Sequence, residues 1–266
     1  MLHPKPESLP SDRTVAGKLQ RKLLRTGGLV FPADDWDVPM LMPEWQATGL
    51  ELPLDAWGSK AKKRGTTGTF HFYQDDYKFT QLLSNPMALP VLYPKASCEL
   101  NFSTDLNTPL AYLMGLIYAK RWTSRVWQSE AAIRIWVDVN FAAEQAEWQL
   151  LGVPKGWRAY STRGCGDNFQ YNLDQWNMAC DRAETKDIIF LVVGGGKKIK
   201  EQCTKRHWIW APSFWERATG KYEDEGGNDG RQEQRGMGEQ PRSSGSETLD
   251  ARTEPEDEGE VRHQTS

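Results

Sequence analysis

TFHFYQDDYKF (69–79), ASCELNFSTDL (96–106), LAYLMGLIYAKRWTSRVWQSEAA (110–132) and IRIWVDVN (133–140) follow one another in the middle of the chain. Each of the three short apolar runs ends in polar or acidic residues: Asp75 and Asp76 after the first, Glu99 after the second, Asp138 and Asn140 after the third. Helical pattern separates them. Short strands alternating with helices read as consecutive βα units, and a parallel sheet built from such units gathers the polar residues at the carboxyl ends of its strands.

Working outward, the alternation continues. NFAAEQAEWQLLG (140–152) has an irregular helical rhythm, GWRAYSTRG (156–164) supplies a strand, NLDQWNMACDRAETK (172–186) a helix, and DIIFLVV (187–193) a buried strand running directly into GGGKK (194–198). A short helix over 200–205 and a strand in HWIWAPSF complete the series. The expected strands lie at 29–31, 69–73, just before Asn101, 133–139, 157–161, 188–193 and 208–210. Seven strands mostly separated by helices fit an α/β fold of the (β/α) barrel type, or an incomplete barrel with mostly parallel strands. A doubly wound open sheet is the alternative. Between residues 29 and 57 the chain is rich in proline and reads as a loop packed over a barrel end, apart from the strand at 29–31.

Composition bounds the rest. The 266 residues include 38% hydrophobic side chains and twelve Trp, enough for one barrel-sized core. Residues 1–28 read as a basic arm with a short amphipathic helix, 29–220 as the barrel domain and 221–266 as a disordered acidic tail. The tail carries thirteen acidic and six basic side chains, leaving 27 basic and 23 acidic residues in 1–220, so the folded part is mildly basic. No apolar run is long enough to span a membrane and the first residues lack a signal-peptide core, so a cytoplasmic location without membrane contact is expected. Cys98, Cys165, Cys180 and Cys203 stand far apart and read as free thiols.

In a barrel the residues just past the strands converge on one face, which makes Asp75, Asp76, Glu99, Asp138, Asn140, Ser161 and Arg163 candidates for one cluster. Asp76, Glu99, Asp138 and Arg163 are the expected catalytic residues, with Asp76 and Asp138 as ligands for Mg²⁺ or Mn²⁺. The competing reading of an acidic pair after a strand is a helix cap. Gly195 and Lys197, in the glycine run after a buried strand, are candidates for holding phosphate. So are Lys62 and Arg64, in the basic loop 60–64. Arg121 and Arg125 fall near the end of a long helix with Tyr118 and Trp122, an arrangement that suits stacked nucleic-acid bases. His71 sits inside an apolar strand, as a hydrogen-bonded core residue or a partner of Asp75. Nucleophile-elbow, dinucleotide-fingerprint and paired-histidine nuclease patterns are all missing.

Beside this, the motifs resemble an uncharacterised family encoded mainly by bacteriophages, plasmids and other mobile elements. His71, Phe72, Asp75, Asp76, Tyr77 and Phe79 match its HFF.DDY.F motif, and Tyr118, Arg121, Trp122, Trp127 and Gln128 match YR.RW.G.YWQ. Ser161, Thr162 and Gly164 match its ST.G turn. The segments CELNFS and VDVN depart from the pattern. The resemblance implies a mobile-element origin and little chemistry. Together the residues lead to the expectation of a metal-dependent enzyme acting on a phosphate-bearing substrate such as nucleic acid. The alternative is a non-catalytic nucleic-acid- or partner-binding protein of a phage or plasmid replication or maintenance module.

Overall fold

Seven strands, every neighbouring pair parallel, hydrogen-bond in the order in which they occur in the sequence. They are β1 (Leu54–Ala56), β2 (Thr69–His71), β3 (Ala96–Cys98), β4 (Arg134–Asp138), β5 (Ala159–Arg163), β6 (Ile189–Val193) and β7 (Ile209–Ala211). The computed structural model describes residues 36–58 and 67–220. The expected arm at 1–28, strand at 29–31, basic loop with Lys62 and Arg64, and acidic tail all lie outside the described residues. Because the strand order never reverses, successive crossovers of one hand curl the sheet round on itself, whereas a doubly wound sheet needs a switch point. The result is a nearly closed barrel, with no β1–β7 ladder among the described residues.

The first described strand, β1, lies in a stretch expected to be loop. Leu54 and Ala56 are buried on either side of the half-buried Asp55, but three residues between Pro53 and the Trp57–Gly58 pair give too short an alternation to register as a strand. Its parallel pairing with β2, Leu54 opposite Thr69 and Ala56 opposite His71, defines a strand inside a stretch read from the sequence as loop.

Register then sorts the faces. In-register neighbours in a parallel sheet share a face and successive residues alternate. Thr69, His71, Cys98, Trp136, Asp138, Ser161 and Leu191 therefore line the barrel interior, while Phe70, Ser97, Ile135, Val137, Tyr160, Thr162 and Phe190 face the helices. Those helices are α1 (Gln81–Ser84), α2 (Leu110–Ala131), α3 (Ala146–Gln149), α4 (Phe169–Ala183), α5 (Gly196–Lys205) and α6 (Phe214–Thr219). An aromatic layer fills the space between β2 and α2. Phe72 stacks on Trp127 with centroids 5.8 Å apart, and meets Phe79 edge-on at 5.5 Å. Each such pair contributes about 0.5–1.5 kcal/mol beyond its buried area.

Helix α2 is the main brace. Its Gln128 amide oxygen accepts the Met42 amide at 2.8 Å, and its nitrogen donates to the Met42 carbonyl at 3.0 Å, while Arg125 donates to the Met40 carbonyl at 3.1 Å. The apolar segment around Leu41 is thus fastened along the helix, which satisfies backbone groups that otherwise have no partner in regular structure. Arg121 and Trp122 are fully buried and Arg125 nearly so. This corrects the expectation that Arg121 and Arg125 present a nucleic-acid surface: the face they occupy packs inward.

Helix α6 lies beyond the last expected element. Ser213 and Glu216 form a capping box and Gly220 closes the helix in a left-handed conformation, a start and stop signal present in the sequence as Ser-x-x-Glu and Gly. Helix α5 begins at Gly196, four residues earlier than expected, so the glycine run is itself the turn between β6 and the helix.

Candidate functional site

A cavity of about 380 Å³ opens at the carboxyl ends of the strands, beside the two edge strands of the described sheet, β1 and β7. One wall is His71 at the end of β2 with Tyr73 and Lys78 after it; another is Arg163 at the end of β5 with Gly194 and Gly195 after β6; Phe214 and Trp215 of α6 form the rim. The carboxyl ends of barrel strands are where functional side chains from several units meet.

His71 is the buried titratable side chain of this ring, only 1% exposed. The Tyr73 amide donates to its Nδ1 at 3.4 Å, and its Nε2 meets no protein hydrogen-bond partner among the described residues. Burial, helped by the positive charge of Arg217, brings its pKa down to about 3. The imidazole is therefore neutral at physiological pH, and with Nδ1 accepting, Nε2 carries the proton. It is a buried donor with no acceptor among the described residues, which costs stability unless something else accepts.

Tyr73 links the cavity to the barrel interior. Its hydroxyl donates to Ser161 Oγ at 2.9 Å, and burial first, then the Asp138 charge, push its pKa well above the usual phenol value. Asp138 lies behind it. The Asp138 carboxylate takes Lys120 Nζ at 3.2 Å and the Asn140 amide at 3.2 Å. Burial raises the Asp138 pKa and lowers that of Lys120, so desolvation moves both groups toward their neutral forms. Cys98, also interior, is pushed up to about 12 by burial and is an unreactive thiol.

The carboxylates expected to act together are engaged separately. Glu99 is paired with Arg121 and also accepts the Asp138 amide at 3.2 Å. Asp76 accepts the amide and hydroxyl of Ser103, both at 3.1 Å, and so pins the loop after β3; Asp75 pairs with Lys78 at 2.9 Å. Neither Asp75 nor Asp76 caps a helix through its side chain. Among the described residues no three His, Cys, Asp or Glu side chains converge as metal ligands. Asp76 and Asp138 do not fit a shared Mg²⁺ or Mn²⁺, because a cation at Asp138 would have to displace a buried lysine already paired there. Of the four expected catalytic residues, Arg163 alone lines the cavity.

The glycine run has a structural duty. Gly194, Gly195 and Gly196 all have positive φ, and a Cβ on Gly164 would overlap the Gly194 carbonyl, so the β5 and β6 turns pack backbone against backbone. The anion at the start of α5 is the protein's own: Glu216 accepts the Gly196 amide at 2.6 Å and the Ser213 amide at 2.7 Å. Gly195 stays on the cavity wall, while Lys197 points outward on the first turn of α5, exposed and outside the cavity. Tyr73, Lys78 and Trp215 are additions to the sequence reading. The Tyr73–Ser161 contact spans 88 positions and leaves no local trace, whereas Trp215 could have been placed from the capping box around it.

No helix among the described residues is long and apolar enough to cross a membrane. Residues 33–180 match the family model described as Domain of unknown function (DUF4417). Over 134 residues the chain is 25% identical to the Gene 1 protein of Mycobacterium phage D29, covering 48% of each chain. Over 98 residues it is 32% identical to the Gene 1 protein of Mycobacterium phage L5, covering 36% of this chain and 42% of that protein. The chain thus spans about half the length of these curated relatives, or less. No solved structure matches. The family match holds the His71 and Arg163 walls of the cavity, while Gly194 and the α6 rim lie outside it.

Proposed function

The chain belongs to the DUF4417 family, a phage-associated family of unknown function, and from that premise we propose that its barrel mouth binds a phosphate-bearing ligand. The carrying observation is His71, a buried neutral imidazole with an unmatched Nε2 donor on the wall of a cavity that also bears Arg163 and Lys78. A buried neutral donor beside cations on the walls suits an oxyanion: the donor needs no charge to be useful, Arg163 supplies positive charge, and Lys78 adds to it from its pairing with Asp75. Glu216 also lines the cavity, but its carboxylate oxygens are turned to the Gly196 and Ser213 amides, so Arg163 has to outweigh its charge. Behind the site, Tyr73 and the Lys120–Asp138 pair supply groups able to hold or move a proton.

The test is calorimetric titration and thermal melting of the full chain with inorganic phosphate and pyrophosphate. Binding raises the melting temperature by mass action, and Arg163→Gln weakens it. The reading fails if neither anion binds or shifts the melting temperature at millimolar concentration.

A second reading is supported by α5, which carries Lys198 and Lys205 exposed, with Arg206 just beyond it stacked over Phe169 at 4.7 Å and Trp208 at 5.8 Å. Basic side chains interleaved with aromatics suit a single-stranded nucleic-acid backbone. Salt-dependent retention of a single-stranded oligonucleotide, lost in Lys198→Glu with Lys205→Glu, supports it; salt-insensitive retention sinks it.

A further inference from the structure

Trp215 is 72% exposed, yet its position is fixed. Helix α6 is held at both sides of the barrel seam: Glu216 binds the β6–α5 turn through the Gly196 amide, and the neighbouring Arg217 donates to the Leu54 carbonyl of β1. The capping box of Ser213 and Glu216 fixes the helix start. Phe214 braces the indole edge-on, with centroids 5.5 Å apart. A large flat aromatic surface is thereby presented to solvent on the rim of a cavity whose other walls bear His71, Lys78 and Arg163.

We propose that the ligand carries a planar heteroaromatic base as well as phosphate, so that the mouth is a site for one nucleoside phosphate, with the base on Trp215 and the phosphate toward His71, Lys78 and Arg163. This rests on the phosphate reading above. Every nucleobase has a π-face to offer an indole, so stacking selects for the ring without selecting among bases. A cavity of about 380 Å³ lies at the small end of ligand sites and limits the occupant to a single nucleotide, either free or at the end of a strand. The rigid seating of α6 lowers the ordering cost of stacking, because the platform is in place before the ligand arrives.

Calorimetric titration of the full chain with adenosine, guanosine, cytidine and uridine 5′-monophosphates, with ribose 5-phosphate as the base-free control, decides it. The parent is expected to bind the nucleotides more tightly than ribose 5-phosphate. Trp215→Ala is expected to lose about 5- to 150-fold in nucleotide affinity with no change toward ribose 5-phosphate, and Trp215→Phe to keep most of the parent affinity. Equal affinities for nucleotide and ribose 5-phosphate, or an indifferent Trp215→Ala, overturn the base site while leaving phosphate binding intact. Binding of none of these compounds overturns the phosphate reading and this inference with it. A 5′-phosphorylated oligonucleotide binding more tightly than the mononucleotides assigns the site to a strand end; equal or weaker binding assigns it to the free nucleotide.

Discussion

Arg121 and Glu99 form an ion pair beneath α2 in which neither side chain is exposed. Two further guanidinium donors go to the carbonyls of Leu151 at 2.8 Å and Gln149 at 2.6 Å, and Glu99 also accepts the Asp138 amide. One charge pair therefore ties β3, β4, α2 and the segment after α3 together. Removing one partner strands the other charge in the interior, which costs far more than the pair contributes. Arg121→Met is expected to lower the unfolding free energy by about 3–5 kcal/mol, and adding Glu99→Leu to recover part of the loss. Urea titration measures both. A single variant within about 1 kcal/mol of the parent would mean that Glu99 finds water or protonates without difficulty.

His71 predicts a pH dependence. Its pKa is about 3 in the folded chain against 6.5 for an unperturbed imidazole. As pH falls below 6.5 the unfolded chain takes up a proton that the folded chain refuses, so stability attributable to this group is present above 6.5 and is lost on acidification toward 3. Between pH 7 and pH 5 the loss amounts to about 2 kcal/mol. The measurement is the difference between parent and His71→Asn in urea midpoint at those two pH values. Parallel pH profiles for the two proteins would show that His71 is not held neutral.

Two glycines of opposite kind are expected to respond oppositely to alanine. Gly164 has no room: a methyl there overlaps the Gly194 carbonyl, backbone against backbone. Gly115 lies within α2 with nothing in range of an added methyl. Gly164→Ala should destabilise by about 1–3 kcal/mol through forced backbone movement, and Gly115→Ala should stabilise by about 0.5–1 kcal/mol through helix propensity. Thermal melts of the two variants check this, and a tolerated Gly164→Ala would show that the β5 and β6 turns can separate.

How much of this was legible beforehand follows from the range of each signal. Strands β4 and β6 announce themselves because consecutive apolar residues form a local pattern, and the acidic ends of β3 and β4 do lie side by side in the barrel. What local pattern cannot carry is partnership. Nothing near Arg121 or Arg125 says that one guanidinium pairs with Glu99 and the other donates to the Met40 carbonyl, so a buried brace reads like a basic stacking face. Asp76 and Asp138 look equivalent as strand-end carboxylates, yet one binds Ser103 and the other Lys120. The cavity needs His71 and Trp215, 144 positions apart, and only the closing of the barrel brings their elements to one mouth.

Arg217 offers a direct test of that closure. Its guanidinium donates to the Leu54 carbonyl across the seam, and its charge is the smaller of the two causes that depress the His71 pKa, burial being the larger. Arg217→Met removes the charge and keeps much of the side-chain bulk. The imidazole pKa should then rise from about 3 but remain below 6.5, because burial persists. A titration of the His71 ring signals by NMR, assigned with the His71→Asn variant, reads this shift. An unchanged pKa would mean that the Arg217 charge does not reach the cavity wall; a rise all the way to the unperturbed value would mean that losing the Leu54 contact opens the seam and lets water to His71.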